Sequence, residues 1–65
     1  MKTYEFHAKS TPGGMTAWVC AIEDGKEVKR ADLDPKMETY GQFHRRMTAE
    51  LEAQGYQLAE GQYSL

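Results

Sequence analysis

Residues 15–30, MTAWVCAIEDGKEVKR, decide the fold because they contain two strand-like runs joined by a turn. Residues 15–22 are apolar at nearly every position, which is typical of a strand in the centre of a sheet. Asp24-Gly25 between two such runs is the strongest short signal for a β-hairpin. Residues 27–31 carry more charge, as is typical of an edge strand. The stretch therefore predicts a hairpin whose first strand is central and whose second strand is an edge.

The segment before this hairpin predicts a further strand. Tyr4, Phe6 and Ala8 alternate with polar residues over residues 3–9, and alternation with period two indicates a half-buried strand. The run ends at residues 10–14, STPGG, where proline fixes φ and lacks an amide donor and the glycines allow positive φ. This composition predicts a loop between two antiparallel strands.

The segment after the hairpin predicts a helix with two alternative starts. Asp34-Pro35 places an amide-accepting side chain before a proline at the first helical position. Thr39, with Gln42 three residues later, matches a capping box. Gly41 would weaken a helix that began at Pro35 by about 0.5–1 kcal/mol relative to alanine, so we expect a first turn that is loose or separate.

The apolar residues of this segment recur every three or four positions, which is the spacing of one helix face. They are Met37, Tyr40, Phe43, Met47 and Leu51. Gly55 is expected to end the helix as a left-handed cap. Residues 56–58 alternate again and predict a short fourth strand, and residues 62–65 are expected to form a frayed tail.

These predictions combine into an α+β fold. We expect a single compact domain over residues 1–65, in which a small antiparallel sheet of three strands, or four, packs against one amphipathic helix in the order ββ(β)α(β). A chain of 65 residues has one small core, because folding buries only about 60% of the surface that the unfolded chain exposes. A self-contained catalytic cleft is not expected in such a core. We therefore interpret the protein as a non-enzyme that uses no cofactor.

The second strand has two apolar faces, and one helix covers only one of them. One face carries Ala17, Val19 and Ala21, and the other carries Trp18, Cys20 and Ile22. A four-residue first loop would place Tyr4 and Phe6 on the alanine face, and a two-residue Asp24-Gly25 turn would add Val28 to it. Trp18 would then lie uncovered, flanked by Glu5, His7, Glu27 and Lys29, whereas a five-residue first loop would place Trp18 in the core. We favour Trp18 in the core because large apolar residues are usually buried. An exposed Trp–Ile patch would instead mark a binding surface.

The composition also indicates where the protein is found. No apolar run reaches the ~18 residues of a membrane helix, and no charged-then-apolar leader is visible, so neither a membrane span nor a signal peptide is expected. Cys20 is the single cysteine and has no partner for a disulfide within the chain. A small domain without cysteine pairs is typical of a reducing compartment, and we expect a cytoplasmic protein.

The net charge of −2 is unevenly distributed along the chain. Residues 1–46 carry eight basic and seven acidic residues, a balance of +1, whereas residues 47–65 carry three acidic residues and no basic one, a balance of −3. A protein that binds nucleic acid by itself usually has a basic excess, because Lys and Arg contacts to phosphate supply much of its affinity. The charge therefore argues against that role.

His7, Cys20 and His44 are the residues with side chains suited to a soft metal or to nucleophilic chemistry. Structural zinc takes four ligands, commonly as two closely spaced pairs, and these three residues form no such pair. A Cys–His nucleophile needs a group that orients the base and an oxyanion hole, and the sequence indicates neither. We predict no metal site and no catalytic residue.

The favoured hypothesis is a small protein that inhibits or modulates a larger, basic protein partner by covering part of its surface. Acidic side chains would steer such a partner, and an aromatic side chain would anchor it. The candidate acidic residues are Glu23, Asp24, Asp32, Asp34, Glu50 and Glu52, and the candidate anchors are Trp18 and Tyr56. In size alone, the chain is similar to the small inhibitors that phages and mobile elements encode, anti-CRISPR proteins among them.

The alternative hypothesis is a small DNA-binding accessory domain that uses basic residues of the sheet and helix. Its candidate contacts are Lys29, Arg30, Arg45 and Arg46. Small modules of this element order insert a sheet into the major groove, although such sheets normally expose several basic residues. A homodimer stays open under either hypothesis, because the third strand offers an edge for pairing.

Overall fold

A computed structural model of the chain describes residues 1–59. The element order is β1 (Lys2–Thr11), β2 (Gly14–Glu23), β3 (Lys26–Asp32), α1 (Tyr40–Ala53) and β4 (Gln57–Leu58). The four strands form one sheet in the order β3-β2-β1-β4, with β1, β2 and β3 antiparallel and β4 parallel to β1. The structure confirms the α+β class and the fourth strand, and it shows a mixed sheet. The predicted frayed tail at residues 62–65 lies outside the described residues.

The β1–β2 hairpin closes more tightly than either loop considered from the sequence. Thr11 pairs with Gly14, so only two residues form the turn, and Phe6 pairs with Val19. This register has the same parity as the four-residue loop, and Trp18 consequently pairs with His7 on the face opposite α1. The prediction that Trp18 lies in the core is therefore wrong, because the turn sets which strand positions face the helix.

The β2–β3 turn is confirmed at Asp24-Gly25. Both residues have positive φ, 53° and 81°, as the type I′ turn of a two-residue hairpin requires. Beyond the turn the pairing is irregular, because Ile22 pairs with Glu27 but Ala21 pairs with Lys29. Val28 is thus the extra residue of a β-bulge.

This bulge corrects the sequence prediction for β3. Val28 does not join the core and is 49% exposed. Lys29 takes the position opposite Ala21, on the face that α1 covers, and Arg30 takes the position opposite Cys20 on the other face. The two neighbouring cationic residues therefore lie on opposite faces of the sheet.

The capping box at Thr39 begins the helix. The Thr39 hydroxyl accepts from the Gln42 amide at 3.2 Å, and the Gln42 side-chain oxygen accepts from the Thr39 amide at 2.9 Å. Asp34-Pro35 forms a separate turn, in which the Met37 amide donates to the Asp34 carbonyl at 3.0 Å. Met37 consequently precedes the helix and is 80% exposed, so its assignment to the apolar helix face is wrong.

The helix ends as predicted, at Gly55. Gly55 has φ 91°, its amide donates to the Glu52 carbonyl, and the Tyr56 amide donates to the Leu51 carbonyl. This pair of bonds is the Schellman motif, which satisfies carbonyls that the last helical turn leaves free. The reversal returns the chain to β1, where Leu58 pairs with Tyr4.

The core lies between α1 and the face of the sheet that carries Tyr4, Phe6 and Val19. It comprises Tyr4, Phe6, Val19, Ala21, Phe43, Met47, Leu51 and Tyr56. Phe43 is fully buried, and its ring meets that of Phe6 edge to face at 6.1 Å. Within residues 1–59, α1 is the sole α-helix, and its 14 residues are too few and too polar to span a bilayer.

Candidate interaction surface

The face of the sheet opposite α1, here called the open face, carries side chains from three strands. Strand alternation places on it Thr3, Glu5, His7, Lys9, Thr16, Trp18, Cys20, Ile22, Glu27, Arg30 and Asp32. No described helix covers this face. Trp18 lies near its middle and is half-buried.

Trp18 forms a row with one residue from each neighbouring strand. The His7 ring lies parallel to the indole, with centroids 5.4 Å apart and planes inclined by 22°. On the other side the Arg30 guanidinium lies 4.9 Å from the indole centroid, a cation–π distance. The row therefore presents a stacked His–Trp–Arg surface across β1, β2 and β3.

A carboxylate contacts the residue at each end of this row. Asp32 accepts from two nitrogens of Arg30, at 3.1 and 3.3 Å, and the Glu5 carboxylate lies 3.4 Å from the His7 ring. The hydrogen bond that Arg30 donates to Asp32 raises the pKa of Arg30, which keeps the guanidinium charged. Side chains that are ordered before binding lose less entropy at an interface, so this arrangement suits recognition of a partner.

Cys20 lies beside the row and is 6% exposed. Burial raises the pKa of its thiol to about 11, and a hydrogen bond to Glu27 adds to the effect. The thiol is therefore protonated at neutral pH, whereas a nucleophilic cysteine acts as the thiolate. Cys20 thus behaves as a small apolar residue of the sheet.

His44 lies on the other side of the sheet, within the core. It is 4% exposed, and its ring stacks on Phe6 with centroids 4.1 Å apart. The Nδ1 atom lies 3.5 Å from the Thr48 hydroxyl, and Nε2 is buried without a hydrogen-bond partner among the described residues. Burial lowers the pKa of His44, because a charge there would lose its hydration.

The three candidate reactive residues consequently do not converge. His7 and Cys20 lie on the open face, and the sheet separates them from His44. Residues 1–59 contain no group of three or more histidine, cysteine or acidic side chains that could hold a metal ion. No catalytic constellation forms among these residues.

The acidic residues singled out from the sequence are dispersed, and most are bound within the chain. Asp24 accepts from the amino terminus at 2.9 Å, which lowers its pKa, and Asp34 accepts from the Lys36 amide at 3.0 Å. Glu52 accepts from the Tyr4 hydroxyl at 2.6 Å, whereas Glu50 faces β3. Glu23 ends β2 and is half-buried. Of the six candidates, only Asp32 lies on the open face with Trp18.

The second candidate anchor, Tyr56, lies in the core. Its side chain is 6% exposed, and the Lys2 ammonium lies 4.8 Å from its ring centroid. Tyr56 therefore offers little surface to a partner. Trp18 is the candidate anchor that the structure places on an uncovered face.

The four basic candidates form no common patch either. Lys29 donates to the Gln54 side chain on the helix side, whereas Arg30 lies on the open face. Arg46 donates to Glu38 at 2.6 Å, and Arg45 is exposed on α1. The sequence suggested neighbouring contacts to phosphate, but strand alternation directs Lys29 and Arg30 to opposite faces, and the bulge at Val28 decides which face each of them takes.

Sequence reasoning did not recognise the His7–Trp18–Arg30 row. One of the two registers considered from the sequence placed His7 beside Trp18 on the uncovered face, so that register predicted two of the three residues as neighbours. Arg30 joins the row only because the bulge shifts β3 by one residue, and nothing in the local sequence marks that bulge. Comparison of the chain with protein-family models, with curated proteins and with solved structures found no match.

Proposed function

We propose that this protein is a non-enzymatic binding protein whose open face covers a surface of a larger protein. The observation that carries the proposal is the His7–Trp18–Arg30 row on an uncovered sheet face. Tryptophan and arginine are enriched among the residues that dominate binding energy at protein interfaces. Ile22 extends the apolar surface next to Trp18 on the same strand.

The charges on the open face favour a partner with basic side chains. Glu5, Glu27 and Asp32 lie around the row, against the two cations of Arg30 and Lys9, so the acidic side chains are in excess on this face. Carboxylates at this density repel phosphate, whereas they complement Lys and Arg of a protein. These charges support protein over nucleic acid as the ligand.

Binding of this kind acts by occlusion. A partner surface that receives Trp18 is no longer open to the partner's own ligands, so the protein would inhibit or modulate whatever that surface does. The small inhibitors encoded by phages and mobile elements, to which the chain is similar in size, work in this way. The experiment below is designed to identify this partner.

The test is quantitative capture from bacterial lysate with four immobilised proteins: the native chain, Trp18→Ala, Arg30→Ala and Met15→Ala. Met15 is the matched control, because it is an exposed apolar residue on the same strand but on the opposite face. Circular dichroism checks that each variant is folded. Captured proteins are then purified and titrated against the four forms by calorimetry.

We expect a partner that binds the native chain and the Met15 variant equally and binds the Trp18 and Arg30 variants at least about tenfold more weakly. The proposal fails if no captured protein depends on Trp18 or Arg30. It also fails if the chain shifts random duplex DNA in a gel at low salt with an affinity that falls steeply as salt is added, which is the behaviour of a phosphate-binding protein.

A further inference from the structure

The outer side of β3 is a free strand edge in the described part of the chain. The strand order is β3-β2-β1-β4, so β3 has a hydrogen-bonded neighbour on one side only. The bulge at Val28 twists the end nearest the Asp24-Gly25 turn and blunts that part of the edge. Residues 29–32 pair regularly with β2 and leave a regular edge of four residues.

A cleft adjoins this edge on the helix side. The side chains of α1 contact β1, through Tyr4 with Glu52 and Phe6 with His44, so the helix leaves the space above β3 open. The resulting β3–α1 cleft has a volume of about 390 Å³. Its apolar lining comes from Val19, Ala21, Ala31, Met47 and Leu51. This volume accommodates side chains of a ligand.

The charges around the β3–α1 cleft favour an acidic group at one position. Lys29 donates to the neutral Gln54 side chain at 2.5 Å, so that bond leaves its charge uncompensated. Arg46 and Glu50 line the cleft as well, and the Arg46 guanidinium is bound to Glu38 through two nitrogens. A carboxylate from a ligand could take the place of Gln54 at Lys29 and form a charge-assisted bond.

We propose that an extended segment of the protein partner adds as a further strand to the edge of β3 at residues 29–32. Its side chains alternate, and those on the helix side place an apolar group in the cleft beside Ala31 and a carboxylate against Lys29. Strand addition of this kind draws affinity from main-chain hydrogen bonds and specificity from alternate side chains. The inference rests on the proposed protein-binding function and specifies the partner segment.

A second copy of the chain fits this edge poorly. If β3 paired with β3 of a second copy, the helix-side positions supplied to the cleft would be Lys29, Ala31 and Leu33. These provide an apolar group but no carboxylate to pair with Lys29, and they bring a second lysine to the edge beside it. A partner that supplies the acid is therefore the better complement.

The probe is the blocked heptapeptide Thr-Glu-Thr-Leu-Thr-Glu-Thr. It reads the same in both directions and therefore offers Leu and Glu two residues apart whichever way it pairs. It is titrated into ¹⁵N-labelled native chain, alongside peptides in which Gln or Lys replaces both Glu residues. We expect amide shifts concentrated at residues 29–32 and at the last turn of α1, with the Glu peptide binding at least about tenfold more tightly than the Lys peptide.

The variant pair is Lys29→Glu and Lys36→Glu. Lys36 is an exposed lysine in the turn before α1, so its reversal makes the same change in net charge away from the cleft. We expect Lys29→Glu to weaken binding of the Glu peptide by about tenfold or more and to strengthen binding of the Lys peptide. Lys36→Glu should leave the ratio of the two affinities unchanged. Tighter binding of the Lys peptide by Lys29→Glu could not result from unfolding of that variant.

Three results would overturn the inference. They are equal affinity for the Glu and Lys peptides, amide shifts confined to the open face, and β3 shifts that depend on protein concentration without peptide, which would show a second copy at the edge. The proposed function is judged separately, by the Trp18 and Arg30 variants. Capture that depends on Trp18 together with failure of the peptide probes would remove the strand addition and leave the open-face interaction standing.

Discussion

The His44 ring stacks on the Phe6 ring, with centroids 4.1 Å apart and planes inclined by 22°. A titratable side chain thus occupies a core position that an aromatic hydrocarbon could fill. Because burial lowers the pKa of His44 below 6.5, the folded state favours the neutral ring more strongly than the unfolded state does. The stability of the protein is therefore coupled to pH through this contact.

We expect the free energy of unfolding to fall as the pH drops from 7.5 to 5. The unfolded chain takes up a proton on His44 near its ordinary pKa of 6.5, whereas the folded chain does so only at lower pH, so protons favour unfolding in this window. Urea denaturation at pH 7.5 and pH 5 measures the difference. The His44→Leu variant should lose little stability between these two pH values, whereas the His7→Gln variant should lose as much as the native protein. Identical pH dependence in all three proteins would contradict the assignment.

Phe43→Ala should unfold most of the protein. Phe43 is fully buried, and truncating such a ring costs about 3–5 kcal/mol. That cost equals the whole stability of about 3–5 kcal/mol that a core of this size supplies. Circular dichroism and thermal melting check the result. Met37→Ala is the control, because Met37 is 80% exposed and its removal should leave the melting temperature unchanged.

Thr39→Ala should destabilise the protein by about 1 kcal/mol, since the hydroxyl and the Gln42 side chain close a reciprocal cap at the start of α1. Thr39→Ser keeps the accepting oxygen and should be close to native. Chemical denaturation of the two variants measures the difference. Equal loss in both would show that the methyl group of Thr39, and not its hydroxyl, supports the helix.

Cys20 should react slowly with a thiol reagent in the folded protein. Its pKa of about 11 leaves little thiolate at pH 8, so alkylation should be on the order of a hundredfold slower than in urea. Iodoacetamide labelling followed by mass spectrometry gives both rates. Glu27→Gln removes the carboxylate that raises this pKa and should accelerate the reaction. Equal rates in the folded and unfolded chains would mean that Cys20 is open to solvent.

The chain has one tryptophan, so fluorescence reports directly on the open face. Arg30→Ala removes the guanidinium over the indole and should increase quenching of Trp18 by acrylamide. Lys29→Ala is the neighbouring control, because its side chain lies on the other side of β3 and should not change the quenching. If both substitutions, or only that of Lys29, increased the quenching, the bulge at Val28 would be misplaced.

Local signals in the sequence were sufficient for the elements of this fold. The Asp24-Gly25 turn, the Thr39 cap and the Gly55 end each depend on residues within a few positions of one another, and the structure contains all three. The helix start shows the limit of this reasoning. Met37 continued the apolar spacing, but Asp34 closed a separate turn and left it exposed.

The candidate surface could not be predicted in the same way. Which face of β2 meets the helix depends on the length of a turn, and a change of one residue exchanges Val19 for Trp18 in the core. Four of the acidic candidates are bound within the chain, Asp32 and Asp34 by groups two residues away, and Asp24 and Glu52 by the amino terminus and Tyr4, which are distant in sequence. Neither the covered face of β2 nor the two long-range bonds is encoded in a short stretch of residues.

The sequence by itself determined that this chain has three consecutive strands, one capped helix and a short return strand, because periodicity and turn chemistry act over a few residues. Only the tertiary structure decided that Trp18 lies uncovered between His7 and Arg30 and that Lys29 lines a cleft on the other side of β3. Both depend on pairing between strands. A bulge of one residue shifts every following side chain from one face of the sheet to the other.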